Sequence, residues 1–273
     1  MAKLLILPDI HGRKFWEKPC SDIDKYDKVV FLGDYLDPYD FEGITVPEAI
    51  DNFKKIIEFK KNNITKVVLL QGNHDLHYSS IDYYKLSNYH CRHSRKYHDD
   101  ISKLFQDNKD LFKLAYAYDD ILFTHAGVDP TWYTEACDIY ALLNDSIDDI
   151  CYKINKLKED VKPLFMVSYT RGGDEPYASC VWRDVSEMAY HKKLINDGDE
   201  YKTPFEDIKQ VFGHTLQAFY NLDGDIEYGD AIEGDNFKML DNAKAYELDT
   251  KTFKIKDVNY IPVLPVKKNV MIS

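Results

Sequence analysis

Residues Lys66 to Asp75 read KVVLLQGNHD: four consecutive aliphatic side chains, then Gln71, then the polar run Gly72-Asn73-His74-Asp75. A short, continuous apolar run of this kind reads as a buried strand that delivers polar residues at its C-terminal end. The design recurs at Lys3–Leu7 before Pro8-Asp9, at Lys28–Leu32 before Gly33-Asp34, and at Ile121–Phe123 before Thr124-His125. Between Leu32 and Lys66 lies Thr45–Asn63, with Val46, Ala49, Ile50, Phe53, Ile56 and Ile57 on one face at helical spacing. Thr45 and Glu48 form a capping-box pattern, and Asn62-Asn63 marks the stop. Strand, helix, strand in this order predicts a right-handed crossover unit with parallel strands. The polar groups then collect at the C-terminal edge of the sheet, the usual ligand side of an open α/β sheet.

Outward from this unit, residues 76–119 read as helical and polar, with a basic cluster at Arg92, His93, Arg95, Lys96 and His98. Residues 130–162 also read as helical, through Ile139, Leu142, Leu143, Ile147, Ile150, Ile154 and Leu157. From Ala178 onward the pattern turns strand-rich, notably at Gln210–Gly213 and Lys244–Leu248. There is no internal repeat, low-complexity tract or Gly/Ser linker, so we expect one domain over residues 1–273. Its core is expected to be mixed α/β (α+β) and partly two-sheeted, with helical insertions at about 76–119 and 130–162.

The 273 residues are enough to bury a sizeable core. With 44% hydrophobic and 30% charged residues the composition is that of a soluble globular protein. Thirty-five basic against 47 acidic residues give a net charge of −12, which argues against duplex nucleic acid as the main ligand. No apolar run approaches the roughly 20 residues of a membrane span, so no membrane partner is expected. The N-terminal residues lack the features of a signal peptide, and a cytoplasmic location is the expectation. Five scattered cysteines without a CxxC pair point to reduced thiols rather than a disulfide framework or structural zinc.

Five strand-end clusters carry the chemistry: Asp9-Ile10-His11-Gly12, Gly33-Asp34-Tyr35-Leu36-Asp37, Gly72-Asn73-His74-Asp75, Thr124-His125-Ala126-Gly127 and Phe212-Gly213-His214-Thr215. Residues two apart at a strand end can turn a carboxylate and an imidazole toward one cation, as Asp9 and His11 would. Taken singly, each cluster is explained by turn chemistry. Five in order, all rich in Asp, His and Asn, are not.

In that order and spacing the clusters resemble the calcineurin-like metallophosphoesterase superfamily, and most closely its phosphoprotein phosphatase branch. That branch includes bacterial and phage protein phosphatases and symmetrical diadenosine tetraphosphate hydrolases. The resemblance implies a four-layer α-β-β-α sandwich of two mixed sheets flanked by helices, with the metal site at strand ends. It implies one divalent metal on Asp9, His11 and Asp34, and a second on Asp34 as bridge with Asn73, His125 and His214, about 3.5–4 Å apart. Manganese is the foremost candidate for such mixed N/O ligation, with iron, zinc, nickel or cobalt as alternatives. A hydroxide bridging the two metals would attack phosphorus, and His74, oriented by Asp37, would protonate the leaving alcohol.

Many superfamily members carry a second histidine two residues after the one matching His214, where this chain has Leu216. The phosphatase branch also places arginines where this chain has Pro38 and Gln71, so its usual bidentate grip on phosphate is missing. Arg183, in Val181-Trp182-Arg183-Asp184, is the preferred replacement; Arg171 comes next, and Arg92 and Arg95 follow. The expected substrate is a phosphoprotein, a small phosphomonoester or a nucleotide. Alternatives are a dinucleoside polyphosphate or nucleotide pyrophosphohydrolase, and a non-catalytic interaction module on the same fold. The remaining histidines, His77, His90, His93, His98 and His191, match no motif and are expected at the surface.

Overall fold

A computed structural model describes residues 2–87, 92–137, 145–187, 208–220, 226–240 and 243–259. Strand β1 (Lys3–Leu7) buries Leu4 and Ile6 on one face and Leu5 and Leu7 on the other, and so reads as a continuous apolar run. Beside it lie β2 (Lys28–Phe31), β3 (Val67–Leu70) and β4 (Phe112–Lys113), each parallel to its neighbour. On the other side β12 (Ala245–Asp249) pairs antiparallel with β1, and β13 (Lys254–Asn259) pairs antiparallel with β12. The first sheet therefore has six strands in the order β13-β12-β1-β2-β3-β4.

The second sheet joins β5 (Ala115–Tyr118), β6 (Ile121–Thr124), β7 (Lys209–Phe212), β10 (Ile232–Glu233) and β11 (Phe237–Met239) in the order β10-β11-β7-β6-β5. Its three central strands are parallel and its two edges antiparallel. A separate hairpin pairs β8 (Ala218–Tyr220) with β9 (Ile226–Tyr228).

Leu4, Ile6, Val30, Val68 and Leu70 of the first sheet meet Ile121, Phe123 and Val211 of the second in one apolar layer. The outer face of the first sheet packs Leu5, Leu7, Val29, Phe31 and Leu69 against helix α2 (Val46–Asn62) and helix α5 (His98–Asp107). The outer face of the second packs Leu122 against α6 (Pro130–Cys137) and α7 (Ile147–Lys156) through Trp132, Tyr133, Ile150 and Ile154. Helices, sheet, sheet and helices form the expected four layers. Among the described residues no helix is long and apolar enough to cross a membrane.

Helix α2 starts where its sequence signals it. Thr45 Oγ1 accepts from the Glu48 amide at 3.4 Å, and Glu48 Oε2 accepts from the Thr45 amide at 2.8 Å, a reciprocal cap worth about 1 kcal/mol. Because α2 links the parallel neighbours β2 and β3, it is the crossover of the unit read from the sequence. A short helix α1 (Glu17–Cys20) precedes it.

Two helical expectations are corrected. Residues 76–119 contain α3 (Asn73–Ser79, which begins earlier), α4 (Ile81–Ser87) and α5, but from Phe112 the chain is extended in β4 and β5. Ala115-Tyr116-Ala117-Tyr118 alternates with the period of a strand, and Asp119, at φ 52°, takes the left-handed conformation of a two-residue hairpin into β6. The segment 130–162 is not one helix either: Ser146 caps a new start at α7 through the amide of Asp149, and α7 ends at Lys156. Ile139, Leu142 and Leu143 lie outside the described residues.

Phe53 is the keystone of the α2 contact, fully buried, stacked on Tyr35 at 5.0 Å and lying 4.8 Å from the Phe105 ring. Phe53→Ala should lower the free energy of unfolding by about 3–5 kcal/mol. Urea titration measures it, and an unchanged midpoint would contradict this packing role.

Candidate active site

Strands β1, β2 and β3 of the first sheet and β6 and β7 of the second end at the same edge of the sandwich, and each is followed within three residues by an Asp, Asn or His. These turns bring Asp9, His11, Asp34, Asp37, Asn73, His74, His125 and His214 into the interior, all of them buried. Four take left-handed backbone conformations, His11 at φ 42°, Asp34 at 50°, Asp37 at 56° and His214 at 71°. Such conformations cost non-glycine residues about 1–3 kcal/mol each and persist only where surrounding structure enforces them.

Two groups of potential ligand atoms result, His11 with Asp34 and His74, and Asp34 with His125 and His214, each set within 4.8 Å. Asp34 belongs to both. Its Oδ2 lies 3.7 Å from His11 Nε2 and 3.4 Å from His125 Nε2. His125 Nε2 also faces Asn73 Oδ1 at 3.2 Å and His214 Nδ1 at 3.1 Å. Asp9 turns toward this second group: its carboxylate accepts the His214 amide at 3.0 Å and lies 3.7 Å from His125 Nδ1.

The chemistry of these donors fits a cation. His125 Nδ1 donates to the Leu32 carbonyl at 2.9 Å, and His11 Nδ1 to the Leu36 carbonyl at 2.7 Å, because a carbonyl can only accept. In each neutral ring Nε2 is then a lone pair aimed at Asp34, and at His125 the amide oxygen of Asn73 adds another. Buried acceptors facing one another are costly unless positive charge lies among them. Burial opposes charge on His125, yet Asp34 and Asp9 outweigh it and push its pKa up to about 10, so without a metal a proton on Nε2 would supply that positive charge. Nitrogen and oxygen donors around a fixed negative charge suit a first-row divalent metal.

One carboxylate ties two of these turns together. Asp75 accepts the amides of Asp34 at 2.7 Å, Tyr35 at 3.0 Å and Gly72 at 2.9 Å. Burial and the nearby charge of Asp34 raise its pKa to about 7. A second brace holds Asp37, which accepts from His74 Nδ1 at 2.9 Å and from the Tyr78 hydroxyl at 2.6 Å. Neither Asp75 nor Tyr78 is singled out by the sequence reading. The available signal for Asp75 was its place three residues after the glycine that opens α3, where a carboxylate reaches back to a free amide.

A sequence profile described as calcineurin-like phosphoesterase matches residues 2–218. The chain belongs to that family. It is accordingly a phosphoester hydrolase, and the family is metal-dependent. No curated protein matches the phosphoesterase in sequence. Among solved structures it is similar to a cold-active protein-tyrosine phosphatase of a psychrophilic Shewanella species, at 15% identity and a TM-score of 0.46 over 95% of this chain and 81% of that one. It is similar also to a protein serine/threonine phosphatase from Saccharomyces cerevisiae, at 13% identity and a TM-score of 0.46 over 97% and 83% of the two chains. A metallophosphoesterase from Sphaerobacter thermophilus gives 13% identity and a TM-score of 0.43 over 95% and 89%.

The arginines of this phosphoesterase depart from the order of preference set by the sequence. Arg183, the first choice for the phosphate, is only 2% exposed, with Nη2 3.4 Å from Asp129 and Nη1 donating to the Val128 carbonyl. It braces the turn after His125 from inside. Arg171 is closer to the chemistry: Nη2 donates to Thr215 Oγ1 at 2.9 Å, beside His214, while Nε pairs with Asp184 at 3.0 Å. His77 is corrected from a surface residue to a fully buried one, its ring stacked on His93 at 4.8 Å. Burial, reinforced by His93, holds its pKa down at about 3, so it is a neutral packing element. His93 and His98 are half-buried, and His90 and His191 lie outside the described residues.

Gly72 is where these loops come closest, since a Cβ there would meet Asp34 Oδ1 at 2.1 Å and the His125 ring at 2.6 Å. Gly72→Ala should keep the fold but weaken divalent-cation binding by about 10- to 100-fold, the usual effect of displacing ligands through their supports. Calorimetric titration with Mn²⁺ reads the change, and wild-type affinity would contradict the close approach.

Proposed function

We propose that the protein is a phosphatase with two metal positions sharing Asp34, acting on phosphomonoesters. The observation that carries this reading is the place of Asp34 Oδ2, between His11 Nε2 and His125 Nε2 and common to both ligand groups. One position would be held by Asp9, His11 and Asp34, the other by Asp34, Asn73, His125 and His214, and the mixed N/O set makes manganese our first choice. Two divalent cations there would activate water as the nucleophile and neutralise the phosphoryl oxygens.

The protein's own groups do the rest. Asp37 fixes His74 through Nδ1, which leaves Nε2 to carry a proton toward the leaving alcohol. Burial works against a charged ring at His74, but Asp34 and Asp37 outweigh it and raise its pKa. Tyr78, by donating to Asp37 Oδ1, keeps that carboxylate from rotating away. A net charge of −12 favours a small or local phosphorylated group over duplex nucleic acid as substrate.

The test is hydrolysis of p-nitrophenyl phosphate, of phosphoserine, phosphothreonine and phosphotyrosine peptides, and of a bis-nucleoside tetraphosphate, each with added Mn²⁺. Turnover of the monoesters is expected. Preference for the tetraphosphate would move the reading to a pyrophosphohydrolase, and a protein that binds no metal and cleaves nothing would be an interaction module.

His74→Ala should lower turnover by about two to four orders of magnitude while bound metal per chain stays at the wild-type level, as loss of a general acid requires. Unchanged turnover would remove His74 from that role. Asp34→Ala should instead empty both metal positions, which elemental analysis of the purified protein would register; retention of one full equivalent would show that Asp34 is not shared.

A further inference from the structure

The chain has five arginines, and three of them are neutralised: Arg13 Nε lies 2.6 Å from Glu42, Arg171 Nε 3.0 Å from Asp184, and Arg183 Nη2 3.4 Å from Asp129. Arg95 sits exposed on the short turn Arg95–Tyr97. Arg92 differs from all four. Among the described residues no carboxylate pairs with it, yet it is anchored at the site twice. Its Cζ lies 3.8 Å from the centre of the Tyr39 ring, and Nη2 donates to the Asp37 carbonyl at 3.1 Å.

Both anchors touch the chemistry. Tyr39 stands edge-on to His11 at 5.0 Å, and Asp37 holds His74. Stacking on Tyr39 occupies a face of the guanidinium but leaves in-plane N–H groups, beyond the one given to the Asp37 carbonyl, available at an exposed rim. Tyr39 also directly follows Pro38, one of the two positions where the phosphatase branch carries an arginine.

We propose that Arg92 is the residue that grips the substrate phosphate, and that it selects phosphomonoesters over phosphodiesters. The inference rests on the phosphatase reading of the same site. A monoester above its second pKa of about 6 carries nearly two negative charges and three terminal oxygens, so an oxygen pair and a full extra charge are open to a planar fork. A diester has one charge and two such oxygens.

The experiment compares wild type, Arg92→Ala and Arg95→Ala, all loaded with Mn²⁺, on p-nitrophenyl phosphate and bis(p-nitrophenyl) phosphate. Inorganic phosphate binding is followed in parallel by calorimetry. Arg92→Ala should raise KM for the monoester and weaken phosphate binding by roughly 10- to 100-fold, the loss expected for a charge-assisted pair. Diester hydrolysis, bound metal and the Arg95→Ala protein should match wild type. Equal losses on both esters, carried in kcat, would mean that Arg92 only braces Asp37 and would overturn the grip. Unchanged KM and phosphate binding would also overturn it. A metal-loaded wild type that cleaves neither ester and binds no phosphate would overturn the phosphatase reading itself.

Discussion

Asp34 Oδ2 sits 3.7 Å from one imidazole nitrogen and 3.4 Å from another, in a residue only 2% exposed, and a carboxylate at that depth costs several kcal/mol unless positive charge is close. The chain does not dilute this charge. It places a second buried carboxylate, Asp75, behind the first, and satisfies that one with three backbone amides. Burial, with repulsion from Asp34, raises Asp75 to about 7, while the surrounding histidines hold Asp34 well below the usual carboxylate range against the effect of burial. The outcome is a negative focus with lone pairs turned toward it, which a divalent cation relieves better than a proton can, because one cation answers several donors at once.

Such a focus has to be held against its own tendency to open. Strands that are apolar on both faces supply the rigidity, since Leu4, Ile6, Val30, Val68 and Leu70 lock the two sheets together directly beneath the turns. The strained backbone of His11, Asp34, Asp37 and His214 is tolerable because each turn leaves a strand that cannot shift without unpacking that layer. Gly33, at φ 111°, completes the arrangement: a Cβ there would lie 2.5 Å from the Gly72 amide, so the second and third turns can share Asp75 only if no side chain stands between them.

The strands that carry the site were legible because two-sided burial writes itself as an unbroken aliphatic run, and α2 because its cap and its 3.6-residue period agree. The same criterion failed at Ala115–Tyr118, an edge strand whose modest alternation was absorbed into a helical reading of its surroundings. Among the site residues, the order of clusters pointed to the groups that converge, although Asp9 turned toward His125 more than the reading implied. Burial was the harder quantity. His77 and Arg183 look like surface residues in a one-dimensional pattern, yet a stacked ring and an ion pair with Asp129 let them enter the core. Nothing local to either residue signals a partner that far along the chain.

Gln71, where the phosphatase branch carries an arginine, is enclosed by the neighbouring strand. Strand β4 pairs with β3, and its ladder continues one step further through the Gln71 amide, which donates to the Lys113 carbonyl at 2.8 Å. This extra strand leaves Gln71 only 2% exposed, with its amide oxygen lacking a hydrogen-bond partner among the described residues. At that depth the side chain lies in the same low-dielectric interior as Asp34 and Asp75 rather than in solvent. Arg92, stacked on Tyr39 above the turn that carries Asp37, is instead exposed at the rim, where we place the phosphate grip. In that reading the charge that meets substrate is separate from the turns that would hold metal, which Asp75 braces from within.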